Sequence, residues 1–178
     1  MTFGAIPTIY GGVQFRSRTE ARWANFFDDL HVAWQYEPAG YEFDGVRYLP
    51  DFWLPDVLSR GEPGGVFFEV KGMHPDHSEI AKAVGLAYGT RRPVVVAAGG
   101  PSPPHLESLT EIVRDGDKVW DDDGVMFART RCGLTDIGFH GGSVNHCLCG
   151  CGEIDACDPA LTAARIAWPN YQRWEAAA

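Results

Sequence analysis

The stretch from Val66 to Ala98 constrains the fold more than any other part of the chain. Val66 to Lys71 is a strand-like run, Asp76 to Tyr88 has helical spacing that turns Ile80, Val84, Ala87 and Tyr88 inward, and Pro93-Val94-Val95-Val96-Ala97-Ala98 is continuously apolar. A short apolar run of this kind suits a strand buried on both faces, as in a parallel sheet covered by helices. Strand, helix and strand in that order predict a right-handed parallel crossover. The expected class is α/β: a sandwich built on a central mixed β-sheet flanked by helices.

Upstream, Arg18 to Leu30 reads as a helix entered at Ser17, with Trp23, Phe27 and Leu30 forming its apolar stripe. Trp34 to Phe43 and Val46 to Leu54 read as strands joined at Asp44-Gly45, a strong hairpin signal. Pro50 removes a backbone donor, so that point must be an edge, a bulge or a strand end. Pro55 to Gly65 reads as a loop. Beyond Gly99, Pro101 to Arg114 is expected to be a helix, and Val119-Trp120 and Val125-Met126-Phe127 to be strands. The run Asp121-Asp122-Asp123-Gly124 between those strands reads as a hairpin turn in preference to a metal site.

The chemistry sits on one of these strands. Side chains alternate along a strand, so Glu69 and Lys71 share one face while Phe68 and Val70 point the other way. With Asp51 on the preceding strand and Glu20 on the first helix, the chain offers three carboxylates and one lysine, the set a Mg²⁺-dependent phosphodiester hydrolase needs. Mg²⁺ prefers oxygen ligands and keeps several waters, so one to three carboxylates suffice to hold it beside a phosphate. Asp51 and Glu69 are the expected primary ligands. Lys71 is expected to act electrostatically, because the neighbouring carboxylates raise a lysine pKa and so disfavour a general base.

Glu20 has two readings. Ser17-x-x-Glu20 is a capping box, in which the glutamate bonds back to the Ser17 amide. Glu20, Ala24 and Phe27 also share one helical stripe, which points the carboxylate toward the core and makes it a third metal carboxylate or a support for the other two.

The order of helix glutamate, Pro-Asp at a strand and Glu-x-Lys on the next strand resembles the PD-(D/E)XK nuclease superfamily. Phe15-Arg16-Ser17-Arg18-Thr19-Glu20-Ala21-Arg22-Trp23, Tyr48-Leu49-Pro50-Asp51-Phe52-Trp53-Leu54-Pro55 and Glu69-Val70-Lys71-Gly72 are similar to small members found in phages and actinobacteria. The resemblance covers about residues 15 to 100. It implies a restriction-endonuclease-like fold and a metal-dependent nuclease, an endonuclease acting on DNA, with Glu20, Asp51, Glu69 and Lys71 as its site. Mg²⁺ or Mn²⁺ is the implied cofactor, held by Glu20, Asp51 and Glu69. The superfamily hosts many substrates, so RNA is a second candidate.

The net charge of −9 weighs against nucleic acid, because an acidic surface repels phosphates. Distribution matters more than the sum. Arg16, Arg18 and Arg22 gather around the helix that carries Glu20, and they are read either as a positive rim around an acidic centre or as solvated surface residues. Lys82 is a further candidate phosphate contact, and His74 and His77 lie in the loop after Lys71. An acidic protein of this kind is expected to grip DNA weakly and to gain from a homodimer or a partner protein. No apolar run reaches membrane-spanning length, and Met1-Thr2-Phe3-Gly4-Ala5 lacks a secretion pattern. The expected location is therefore the cytoplasm, that of the host if the chain is phage-encoded, with no membrane partner.

All five cysteines fall late: Cys132, Cys147, Cys149, Cys151 and Cys157, with His140 and His146 among them. The expected division is thus a nuclease-like core over 1–130 and a Cys-rich C-terminal appendage over 131–178 that ends in a helix from Pro159. Such clustering favours metal over disulfides. A structural zinc would take Cys132, Cys149 and Cys151 with Cys147 as fourth ligand, His146 and Cys157 being the alternatives. Cys-x-Cys-x-Cys departs from the usual Cys-x-x-Cys knuckle, so reduced thiols are the competing reading. Similar phage proteins end in a ribbon-like cysteine cluster, of which one half is broken here. The alternative to a nuclease is a catalytically inactive adaptor that keeps the fold and uses the Cys-rich tail to hold nucleic acid or a protein.

Overall fold

Ser17 starts the first helix, α1 (Arg18–Asp29), by accepting the Glu20 amide on its hydroxyl at 3.1 Å. The computed structural model describes residues 5–59, 62–101, 109–115, 118–123, 125–129 and 134–139. Ahead of α1 stands a small hairpin of β1 (Thr8–Tyr10) and β2 (Val13–Phe15). After it come β3 (Gln35–Tyr36), β4 (Tyr41–Phe43), β5 (Val46–Tyr48), β6 (Phe52–Leu54), β7 (Val57–Ser59) and β8 (Val66–Lys71). The second helix, α2 (His77–Thr90), is followed by β9 (Val94–Ala98), β10 (Leu109–Asp115), β11 (Lys118–Asp123), β12 (Val125–Arg129) and β13 (Thr135–Phe139).

The central sheet is mixed, in the order β11-β10-β9-β8-β6-β3, with β8 and β9 parallel and the other neighbours antiparallel. Both of its faces are covered. Val66, Phe68, Val70, Val95 and Ala97 pack with Trp23, Phe26 and Phe27 of α1, and with Phe127 and Ile137 of a second sheet, β12-β13-β7. Phe67, Val94, Val96 and Ile112 pack on the opposite side with Ala83, Leu86 and Ala87 of α2. The apolar run of β9 thus feeds both cores alternately, which is why it shows no polar positions.

Several expectations change. The two long strands each split in two. Glu37 takes a φ of 46° and Pro38 follows it, ending β3, while Pro50 separates β5 from β6. The inner halves form a detached β4–β5 hairpin whose turn residues Asp44 and Gly45 both have positive φ, as a two-residue type I′ turn requires. Within the expected loop, Val57-Leu58 forms the buried strand β7, because β13 pairs with it in parallel. The expected helix to Arg114 is contradicted over Leu109–Asp115, which is strand β10 between β9 and β11. Its Thr-Glu-Ile-Val stretch buries Ile112 beside Val94, and a ladder on both sides outweighs helix propensity. Asp121–Asp123 belongs to β11 and pairs with β10, so the predicted hairpin between β11 and β12 is absent: β12 pairs with β13 in the other sheet. Tyr88 is 54% exposed, because the buried face of α2 is centred on Ala83 and Ala87.

The β4–β5 hairpin rests on α2 at Gly85. A Cβ there would stand 2.4 Å from the ring of Phe43. Alanine would gain about 1 kcal/mol of helix propensity, but displacing a packed ring costs about 1–3 kcal/mol. Gly85→Ala is therefore expected to destabilise the protein by about 1 kcal/mol in urea unfolding; a stabilised variant would show that the hairpin lifts without cost. Among the described residues, no helix is long and apolar enough to cross a membrane.

Candidate active site

Asp51 lies at the break before β6, where Pro50 ends the preceding strand, and not within a continuous strand. Pairing of β6 with β8 sets Phe52 opposite Phe68 and so brings Asp51 beside Glu69 and Val70. The Asp51 carboxylate accepts the Val70 amide at 2.7 Å, and the Asp51 amide donates to Glu69 Oε2 at 3.2 Å. Both carboxylates are nearly inaccessible, 3% and 4% exposed. Lys71 Nζ donates to Glu69 Oε1 at 2.7 Å and stands 3.6 Å from Glu79 Oε1.

Glu20 is also buried, but not as a simple capping-box residue. Its carboxylate accepts the Ser17 hydroxyl at 2.7 Å, the Tyr36 hydroxyl at 2.5 Å and the amide of Arg16, not that of Ser17, at 3.2 Å. Arg16 bridges outward, with its guanidinium on Asp51 and on Glu37, the latter at 2.9 Å. Arg16, Glu20, Asp51, Glu69 and Lys71 line one cleft of about 400 Å³ together with Tyr48. The four residues expected from the sequence therefore converge, from α1, the β6 break and β8.

The electrostatics follow from burial. Asp51 is pushed up to about 8 by desolvation and by the neighbouring Glu69 charge, which outweigh the Val70 amide and Arg16. Burial pulls Lys71 down, but Glu69, Asp51 and Glu79 outweigh it and its pKa is raised, the direction that favours a permanent cation over a base. Burial, the Glu69 charge and hydrogen bonding toward Glu69, and the Asp51 charge also raise the Tyr48 phenol.

The donor set suits a hard divalent cation: buried carboxylate oxygens, with one acid held above its ordinary range by burial and the neighbouring Glu69 charge. The side chains are turned onto their own cations, Asp51 onto Arg16 and Glu69 onto Lys71. Among the described residues no three His, Cys, Asp or Glu side chains stand in a metal-holding arrangement.

The remaining expectations divide. Arg18 lines an adjoining cleft that shares Glu20 and Val70, and its buried Nε meets no hydrogen-bond partner among the described residues. Arg22 lies against Gly100, and Lys82 is exposed on α2; neither lines the carboxylate cleft, and nor do His74 and His77, both exposed. Cys132, His140, His146, Cys147, Cys149, Cys151 and Cys157 lie outside the described residues, as does the expected C-terminal helix. Tyr36 and Tyr48 escaped the sequence reading. Both depend on strand pairing, and neither sits at a spacing that marks it. No family model, curated protein or solved structure matches the chain.

Proposed function

We propose that the protein is a metal-dependent nuclease of restriction-endonuclease-like fold that hydrolyses phosphodiester bonds in DNA. The observation that carries this reading is the convergence of Glu20, Asp51, Glu69 and Lys71 on one cleft from separate parts of the chain. Helices on both faces of a mixed sheet support the same reading. Burying like charges side by side is destabilising, and their retention in an open cleft points to chemistry.

Asp51 and Glu69 would hold Mg²⁺ or Mn²⁺, with Glu20 bordering them. A bound divalent cation polarises the phosphoryl oxygen and acidifies a water at neutral pH. Lys71, kept protonated by its acidic neighbours, sets a positive charge beside the phosphate oxygens as negative charge grows on them. Arg16, half exposed, is placed to leave Asp51 for a substrate phosphate.

The test is cleavage of supercoiled plasmid and of single-stranded oligonucleotides by the purified protein with Mg²⁺ or Mn²⁺. Cutting with either metal and none in EDTA is expected. No cutting on any strand type or metal turns the reading to the inactive adaptor.

The late cysteine cluster is proposed to hold one structural zinc, on the strength of four or more ligand-type residues within a short span. Elemental analysis is expected to find one zinc per chain, with Cys149→Ser lowering it severalfold. A zinc-free wild type purified without chelator would rule the site out.

A further inference from the structure

A second cleft, of about 420 Å³, opens between the edge of the central sheet and the β4–β5 hairpin, lined by Gln35, Tyr41, Trp53, Phe67 and Arg92 among others. We propose that it receives an unpaired base of the nucleic-acid strand, which makes single-stranded DNA or RNA the substrate class; this rests on the nuclease reading above.

The cleft is an aromatic floor with a cation at its rim. The ring of Trp53 is tilted against Phe67 with centroids 4.6 Å apart, and Tyr41 meets Phe67 edge-on at 5.5 Å. Phe67 is buried behind them, while Trp53 and Tyr41 remain partly accessible. Two neighbouring glycines let the Trp53 ring and the Arg92 guanidinium pack closely against the backbone. A Cβ at Gly65 would stand 2.4 Å from the Trp53 ring, and one at Gly64 would stand 1.8 Å from Arg92 Nη1. Arg92 is exposed, and Gln35 adds an exposed amide on the same wall. A flat aromatic surface, a guanidinium and an amide are what an unstacked base uses for stacking and edge recognition.

Position ties this cleft to the carboxylates. Trp53 follows Asp51 by two residues and pairs with Phe67, which precedes Glu69 by two, so the aromatic pair and Glu69 share one sheet face. Two strand residues span about 7 Å, the order of the distance from a phosphate across its sugar to its base. The hairpin walls both clefts, giving Tyr41 to one and Arg47 and Tyr48 to the other. A base still stacked and paired in a duplex cannot enter. For a chain of net charge −9, stacking also replaces the phosphate attraction that duplex binders rely on.

The experiment measures binding, without cleavage, of fluorescein-labelled twelve-residue oligothymidylate and of a twelve-base-pair duplex in EDTA. Wild type is expected to prefer the single strand. Trp53→Leu is expected to weaken oligothymidylate binding about tenfold and duplex binding less than twofold, and Arg92→Gln to weaken oligothymidylate binding about threefold. Circular dichroism checks each variant's fold; if Trp53→Leu is unfolded, the exposed Arg92→Gln decides. Wild-type oligothymidylate affinity in the folded variants, or a wild-type preference for duplex, overturns the base cleft. Cleavage by the wild type is scored separately. Cutting together with variant-insensitive binding defeats only the base cleft, and Trp53-dependent binding without cutting defeats only the nuclease reading.

Discussion

Glu69→Gln and Lys71→Ala are each expected to lower the proposed metal-dependent cleavage by about a hundredfold to a thousandfold. Glutamine keeps the volume and most contacts of Glu69 but removes the charge that faces Lys71 at 2.7 Å and that a divalent cation requires. The variant stays folded, because Glu79 stands 3.6 Å from the lysine and the site is no longer crowded with negative charge. Lys71→Ala acts in the opposite sense. It leaves Glu69, 4% exposed, without its cation, so this variant is expected to be less stable without metal and to be rescued in stability, though not in rate, by Mg²⁺. Single-turnover cleavage beside thermal unfolding separates the two effects. Retention of activity within tenfold of wild type in both folded variants would remove Glu69 and Lys71 from the chemistry.

Asp51→Asn separates activity from stability, and pH is the lever. The carboxyl has an ordinary pKa of 3.8 in the unfolded chain and is pushed up to about 8 when burial and Glu69 act on it. A raised acid binds its proton more tightly in the folded state, so its contribution to stability is full below pH 3.8 and is lost as pH rises to about 8. Metal-free wild type is therefore expected to lose about 5 °C or more in Tm between pH 6 and pH 9 relative to Asp51→Asn, whose amide resembles the protonated acid and does not ionise. Mg²⁺ at pH 9 is expected to recover the loss in wild type and not in the variant, while the variant is inactive throughout. Parallel Tm profiles for the two proteins would show that Asp51 is not held above its ordinary range.

Local pattern made part of the site legible. Period-two alternation put Glu69 and Lys71 on one face, the Ser17 cap began α1 where expected, and Asp44-Gly45 turned the hairpin. The parallel pairing of β8 with β9 followed from strand-helix-strand order. Sheet membership was less legible. Nothing in Leu109–Asp115 announces that ladders wait on both sides, and Val57-Leu58 is a strand only because β13 arrives from far along the chain. The late acidic run is the same case: Asp-Gly suggests a turn locally, yet pairing with β10 keeps Asp121–Asp123 in a strand.

By itself the sequence determined the residue types at the site, the helix that carries Glu20 and the strand that carries Glu69 and Lys71, because caps, turns and periodicity act over a few neighbouring residues. Tertiary structure alone decided that Asp51 sits against Val70 and Glu69, that Tyr36 holds Glu20, and that Arg16 rests on Asp51. Those contacts join residues 16 to 35 positions apart. They form when β6 pairs with β8 and β3 with β6, and strand register follows from the packing of whole faces, not from any local signal.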